Sequence, residues 1–262
     1  MSRFTISALA FLLVGTAALV VAPPPAASDE PTSCATASPP PPSSPSTEAA
    51  ARYGWGSPRA TDEFNYVGAP DKAVWSVYNS AGHSGKGLRR PSQVTVDGQV
   101  LRMTGLPNGT TAGMSARLRG TTYGRWEVRM RVPSRSVQYH PVLIVWPDKG
   151  RTAATNYMEI DFSEGSDLGY NKFFLHAAKG SSGQTHATIP LDQTVWHNYA
   201  VEWQRGRVTG YIDGVKWFED TGANAAKVKS PAHLTMQLDW FPNSSKTATS
   251  TMEVDWVRTY RP

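Results

Sequence analysis

Cysteine is almost absent: Cys34 is the one thiol in 262 residues. That excludes a disulfide framework, a cysteine-rich zinc module and a cysteine-ligated cluster. Helical periodicity is missing as well. No window repeats its apolar residues every 3.6 positions and no internal repeat recurs, so neither a helix bundle nor a solenoid is expected. Charged residues make up only 18%. What the chain has instead is nine Trp, ten Tyr and eight Phe, set among 22 Gly and 20 Pro. The length suits one sizeable globular domain or two small ones.

The first fifty residues stand apart. Arg3 opens a short positive region, and an apolar run over residues 4–21 follows, with small residues at Ala22, Ala26 and Ala27. This reads as a secretion signal over residues 1–27, or as an N-terminal anchor if it is retained. Either way an extracellular location is expected, at the cell surface in the anchored case. Residues 28–51 are Pro, Ser, Ala and Thr-rich and include Pro39-Pro40-Pro41-Pro42. Such a stretch cannot bury apolar area and reads as a disordered linker, with Cys34 a free thiol inside it. The domain is then expected over residues 52–262. The first fifty residues hold Arg3 against Asp29, Glu30 and Glu48, so the domain carries about +7 where the whole chain carries +5.

From Gly54 onward, runs rich in Val, Tyr, Trp, Thr and Ile alternate with turn residues. Residues 92–103 read as two strands around Val96-Asp97-Gly98. Residues 125–132 alternate so that Trp126, Val128, Met130 and Val132 share one face. Residues 199–203 and 208–212 repeat the pattern, a second tight turn follows at Asp213-Gly214, and 252–260 is a last alternating strand. The fold class is all-β, a sandwich or barrel.

The densest acidic cluster is Tyr157-Met158-Glu159-Ile160-Asp161-Phe162-Ser163-Glu164. In a strand Glu159 and Asp161 point together, with Ile160 and Phe162 on the core side. Glu164 falls on the wrong face unless a β-bulge at Phe162-Ser163 returns it. Three carboxylates on one face repel one another, which no stability argument requires. Glycoside hydrolysis does require a carboxylate pair: one attacks the anomeric carbon and the other protonates the leaving oxygen. A solvated acidic strand or a calcium site is the alternative reading of the same spacing.

The segment resembles glycoside hydrolase family 16, in its laminarinase-like branch. That branch carries Glu-x-Asp-x-x-Glu on a bulged strand, matched by Glu159, Asp161 and Glu164. Further matches run in family order: Asp62-Glu63-Phe64, Tyr123-Gly124-Arg125-Trp126-Glu127-Val128, Trp196-His197-Asn198-Tyr199, Tyr211-Ile212-Asp213-Gly214 and Met252-Glu253-Val254-Asp255-Trp256. The resemblance covers about residues 54–262. It implies a jelly-roll β-sandwich of two antiparallel sheets with a concave cleft. It also implies a secreted, endo-acting, retaining hydrolase of β-1,3 or mixed β-1,3-1,4-glucan. Glu159 would be the nucleophile, Glu164 the acid/base and Asp161 an assistant. Three departures bear on the glycan: His140 stands before Pro141 where an aromatic is usual, Ser163 occupies the bulge position that is often Met, and Met236-Gln237-Leu238-Asp239-Trp240-Phe241 differs from the Gly-ending pattern.

Trp146, Tyr157 and Trp240 are the expected aromatic platforms for sugar rings. His140, His176, Gln237 and Asp239 are the expected polar contacts to substrate, and Trp126, Trp203 and Trp256 fit the core. No role is assignable to His197. The resemblance implies no required cofactor. A structural calcium near Asp255 and Glu63 is compatible with it. Asn108-Gly109-Thr110 and Asn243-Ser244-Ser245 satisfy the glycosylation sequon. A polysaccharide is the expected partner, with no nucleic acid or protein partner implied and a monomer expected. A relative that cuts a galactan or an anionic polysaccharide, and a non-catalytic lectin-like module, are the rival readings; transglycosylation uses the same residues.

Overall fold

Alternation at period two makes a strand with one apolar face, which must find another such face to cover it. In this computed structural model, which describes residues 46–262, two antiparallel sheets meet that need in a jelly-roll sandwich. The first sheet runs, from edge to edge, Gln184–Pro190, Tyr170–His176, Glu159–Glu164, Tyr139–Pro147, Ala232–Trp240, Thr110–Ala116, Leu88–Arg89 and Ser80–Ala81. Its one parallel pairing is Leu88–Arg89 on Thr110–Ala116. The second runs Val215–Asp220, Arg207–Ile212, His197–Gln204, Gly124–Ser134, Ser250–Tyr260, Leu101–Gly105, Val94–Asp97 and Val67–Gly68. The expected signal over residues 1–27 and the upstream part of the expected linker lie outside the described residues.

The expected hairpins form where the turn chemistry put them. Val94–Asp97 pairs with Leu101–Gly105 across the Asp97-Gly98 corner. Asp213 and Gly214 both take positive φ (49° and 68°) between Arg207–Ile212 and Val215–Asp220. That is the type I′ geometry whose twist matches the flanking strands. The core lies between the sheets. Trp126, Val128, Met130, Val201 and Trp203 of the second sheet meet Leu143, Val145, Ile160, Phe162, Phe173, Leu175 and Met236 of the first. Trp256 departs from expectation: it is buried outside this core, with the Arg258 guanidinium 4.1 Å from its ring centroid. A register shift between Val254 and Trp256 moves Val257 into the core in its place.

The linker ends earlier than residue 51. Ala49–Arg52 is a helical turn, and Ala49, Ala50 and Trp55 pack on Ala200, Tyr211 and Tyr260 at the outer face of the second sheet. The first amides of that turn have no helical partners. Glu127 supplies them, accepting from Ala49 N at 2.6 Å and Ala50 N at 3.1 Å. Glu127 alternates with the apolar positions of its strand and so faces away from the main core, yet it is fully buried beneath this segment.

Candidate active site

The outer face of the first sheet carries the chemistry. Along Glu159–Glu164 the register against Tyr139–Pro147 pairs Ile144 with Asp161 and Leu143 with Ser163, leaving Phe162 as an extra residue. The same extra residue separates Asp161 and Glu164 relative to Phe174 and Lys172 on the other side. This bulge puts Glu159, Asp161 and Glu164 on one face, and all three line a cavity of about 240 Å³ with Val142, Ile144 and His176. Phe162 is buried in the core and Ser163 is fully buried behind the bulge. There Ser163 Oγ donates to Asn171 Oδ1 at 2.8 Å, and Gln193 Nε2 donates to the same oxygen at 3.2 Å. The bulge position often held by a methionine is therefore pinned here by a buried polar network.

Two further devices hold the ends of the acidic strand. After Glu164, Arg135 donates to the carbonyls of Gly165, Tyr139 and Asp167. Before Glu159, Asn156 and Tyr157 both sit in the left-handed region (φ 53° and 51°). That unfavourable backbone turns the chain sharply into the strand. It also aims the Tyr157 carbonyl at Arg151, whose Nε donates to it at 2.9 Å while lying 3.1 Å from Glu159 Oε2.

The electrostatics follow from crowding. Asp161, 4% exposed, is raised well above the ordinary carboxylate range, first by burial and then by the charge of Glu164. Glu159 is pushed up to about 8 by burial and by Asp161, with His176 and Arg151 pulling it down. A proton on Asp161 removes its like-charge push on Glu159. The two carboxyls therefore hold a proton between them in the folded groove, with Arg151 favouring the charged form of Glu159. Burial holds His176 below its usual value, and its Nε2 lies 3.4 Å from Asp161 Oδ2. At the other end His140 Nδ1 is 3.2 Å from Glu164 Oε1, and its ring stacks on Phe241 at 4.0 Å.

A second lobe of about 390 Å³ adjoins the first and shares Glu159, Arg151, His83 and Gln237 with it. Trp146 lines it with Tyr78 and Arg89. Arg89 donates to Asp239 Oδ1 at 2.6 Å and to Gln237 Oε1 at 3.0 Å, fixing the two cleft-facing polar groups of Ala232–Trp240. Burial raises Asp239, and Arg89 opposes the rise.

Seven expected positions thus come together with Glu159, Asp161 and Glu164 or beside them only in part. Trp146, His176, Gln237 and Asp239 line the groove, and His140 stands at its edge against Glu164 and Phe241. Trp240 does not. Strand alternation sends it with Met236 and Leu238 toward the interior, where its indole packs so closely on Gly109 that a Cβ there would collide with the ring. Tyr157 does not either, because its left-handed backbone breaks the alternation; its side chain lines a separate hollow with Ala153, Asn156 and Ala177. Arg89, Arg151, His83, Phe174, Gln184 and Phe241 also line the groove, and no local spacing in the sequence marks them. Asp255 is paired with Arg129 at 3.0 Å, and Glu63 with Arg258 at 3.0 Å. Guanidinium groups already supply there the positive charge that a calcium would bring, so the donor set does not fit that ion. His197 pairs with Asp213 at 2.6 Å, at the turn after Arg207–Ile212 and away from the groove.

A family model described as glycosyl hydrolases family 16 matches residues 85–258. A beta-glucanase of Rhodothermus marinus is 28% identical over 186 residues, which is 58% of this chain and 61% of that protein. The chain therefore spans less than two thirds of that relative's length. Among solved structures, LamAcat from Zobellia galactanivorans superposes with a TM-score of 0.67 at 19% identity, over 80% of this chain and 99% of that one. The catalytic domain of an endo-1,3-beta-glucanase (laminarinase) from Thermotoga petrophila superposes with a TM-score of 0.68 at 19% identity, over 78% and 97%. At these identities the structural likeness is one of fold.

Proposed function

This chain belongs to glycosyl hydrolases family 16, and from that premise we propose that it is a secreted, endo-acting, retaining hydrolase of a β-glucan containing β-1,3 linkages. The observation that supports the reading best is the bulge, which returns Glu164 to the face of Glu159 and Asp161 in an open groove. In the first step a Glu159 oxygen bonds to the anomeric carbon. The bond to the leaving sugar breaks, and Glu164 gives that oxygen its proton. In the second step water attacks the same carbon, Glu164 takes the water's proton, and the bond to Glu159 breaks. Asp161 holds a proton beside the nucleophile, so the pair never carries two adjacent negative charges. Arg151 favours the charged form of Glu159, and His176, its cross-strand partner, holds its side chain in place. His140 orients the Glu164 carboxyl, and Trp146 offers a face to a sugar ring.

A second reading concerns the glycan alone. The excess of about seven positive charges on the domain favours a chain with anionic substituents. A panel of laminarin, lichenan and neutral and sulfated galactans, with linkage analysis and the anomeric form of the first product followed by NMR, tests both. Cleavage of laminarin or lichenan with β-anomer products is expected. Preference for a sulfated galactan moves the substrate and keeps the mechanism. α-Anomer products, or binding without cleavage of any of them, overturn the proposal.

A further inference from the structure

The groove also brings a metal-ligand set together. Glu159 and His176 are direct cross-strand partners, and Asp161 lies two residues on, so the three side chains occupy one patch of one sheet face. One ligand atom from each lies within 4.8 Å of the others, and His176 Nε2 and Asp161 Oδ2 are already 3.4 Å apart. Zinc bonds to nitrogen and oxygen are about 2.0–2.2 Å, so two ligands of one ion stand roughly 3.4 Å apart and a small side-chain rotation closes the set. A second observation points the same way. Asp161 is 4% exposed, and among the described residues its Oδ1 has no hydrogen-bond partner. Gln184 Nε2 lies 3.4 Å from His176 Nδ1 and 3.5 Å from Nε2, so its amide stands within reach of whichever ring nitrogen does not ligate.

We propose that Glu159, Asp161 and His176 form a site for a divalent transition metal of the zinc class, and that the bound metal blocks the groove. Two carboxylate oxygens and one imidazole leave the remaining position open to the cavity, as in exchangeable zinc sites. Calcium, which takes six to eight oxygens, is not served by this set. Arg151 beside Glu159 opposes the ion. Only the blocking rests on the hydrolase reading; the binding stands without it.

Calorimetric titration of the full chain, without an added histidine tag, with Zn²⁺ alone tests the site. One saturable equivalent is expected, unaffected by excess calcium. His176→Gln is expected to weaken it by at least the roughly 10–100-fold that losing an outer-shell partner costs. Arg151→Gln is expected to tighten it, a gain that misfolding cannot imitate. If laminarin is cleaved, Zn²⁺ should inhibit competitively and EDTA should restore turnover. Binding that is absent, unchanged in H176Q, or weakened in R151Q overturns the site. An inactive protein that still shows the two opposite shifts overturns only the hydrolase reading.

Discussion

The two outer faces of the sandwich treat charge in opposite ways. On the second sheet, acids meet arginines. Arg102 and Arg131 share Glu253, Arg129 takes Asp255, Arg125 takes Glu202, and Arg258 takes Glu63 and Glu48. Several of these guanidiniums also lie over indole rings, as Arg131 does over Trp196 at 4.7 Å. On the first sheet, Glu159, Asp161, Glu164 and Asp239 crowd one groove against Arg89 and Arg151. A face built for stability neutralises its charges in place. The groove leaves carboxylates buried and repelling, which is the pattern expected where reactivity rather than stability decides the residues.

The largest effect should come from relieving the groove. Glu159→Gln is expected to lower turnover about 10³-fold or more while leaving glycan binding in place. It should also raise stability at neutral pH. The folded Glu159–Asp161 pair keeps a proton at neutral pH that the unfolded chain has released, because burial and mutual repulsion raise both carboxyls. A raised folded value means stability is present below the unfolded pKa and is lost as pH rises through the folded one. Turnover and urea midpoints across pH measure both, and an active variant, or one less stable at pH 7.5, removes the contrast between the faces.

Next is the exception on the well-paired face. Burial raises Glu127 to about 7 although two backbone amides donate to it. By the same sign argument, stability should fall by about 3 kcal/mol as pH rises from 4.5 to 7. Glu127→Gln should flatten that slope in urea melts, and an unchanged slope would place its origin elsewhere. Asn171→Leu, which strips the buried network behind the bulge, should cost about 2–3 kcal/mol. It should lower kcat more than KM, because the bulge sets where Glu164 stands; equal changes in both would mean the network only stabilises. Smallest is Arg131→Met. Arg102 still holds Glu253, so thermal melting should shift by less than about 1 kcal/mol in stability.

Much of this was legible in local spacing. The Glu-x-Asp-x-x-Glu run implied its own bulge, because only an extra residue brings Glu164 round. The alternation in Gly124–Ser134 assigned Trp126, Val128 and Met130 to the core. The parity that groups Gln237 with Asp239 also sends Trp240 inward with Met236 and Leu238, which the resemblance alone does not convey. Tyr157 is different, since two left-handed residues erased the parity there. Arg89, Arg151, His83 and Phe241 reach the groove from other strands and loops, and no spacing within one segment shows which distant residues a sheet will bring alongside. Glu127 was hidden for a related reason. It occupies a position suited to solvent, and it is covered by a segment whose composition promised disorder.

That covering segment has a practical consequence. Residues 46–55 pack on the outer face of the second sheet, the side away from the groove of Glu159 and Glu164. A recombinant form begun at residue 52 would strip Ala49 and Ala50 from Glu127 and bare the Tyr211–Tyr260 surface. A fusion partner joined directly at residue 46 would start on the face of the sandwich opposite Glu159 and Glu164.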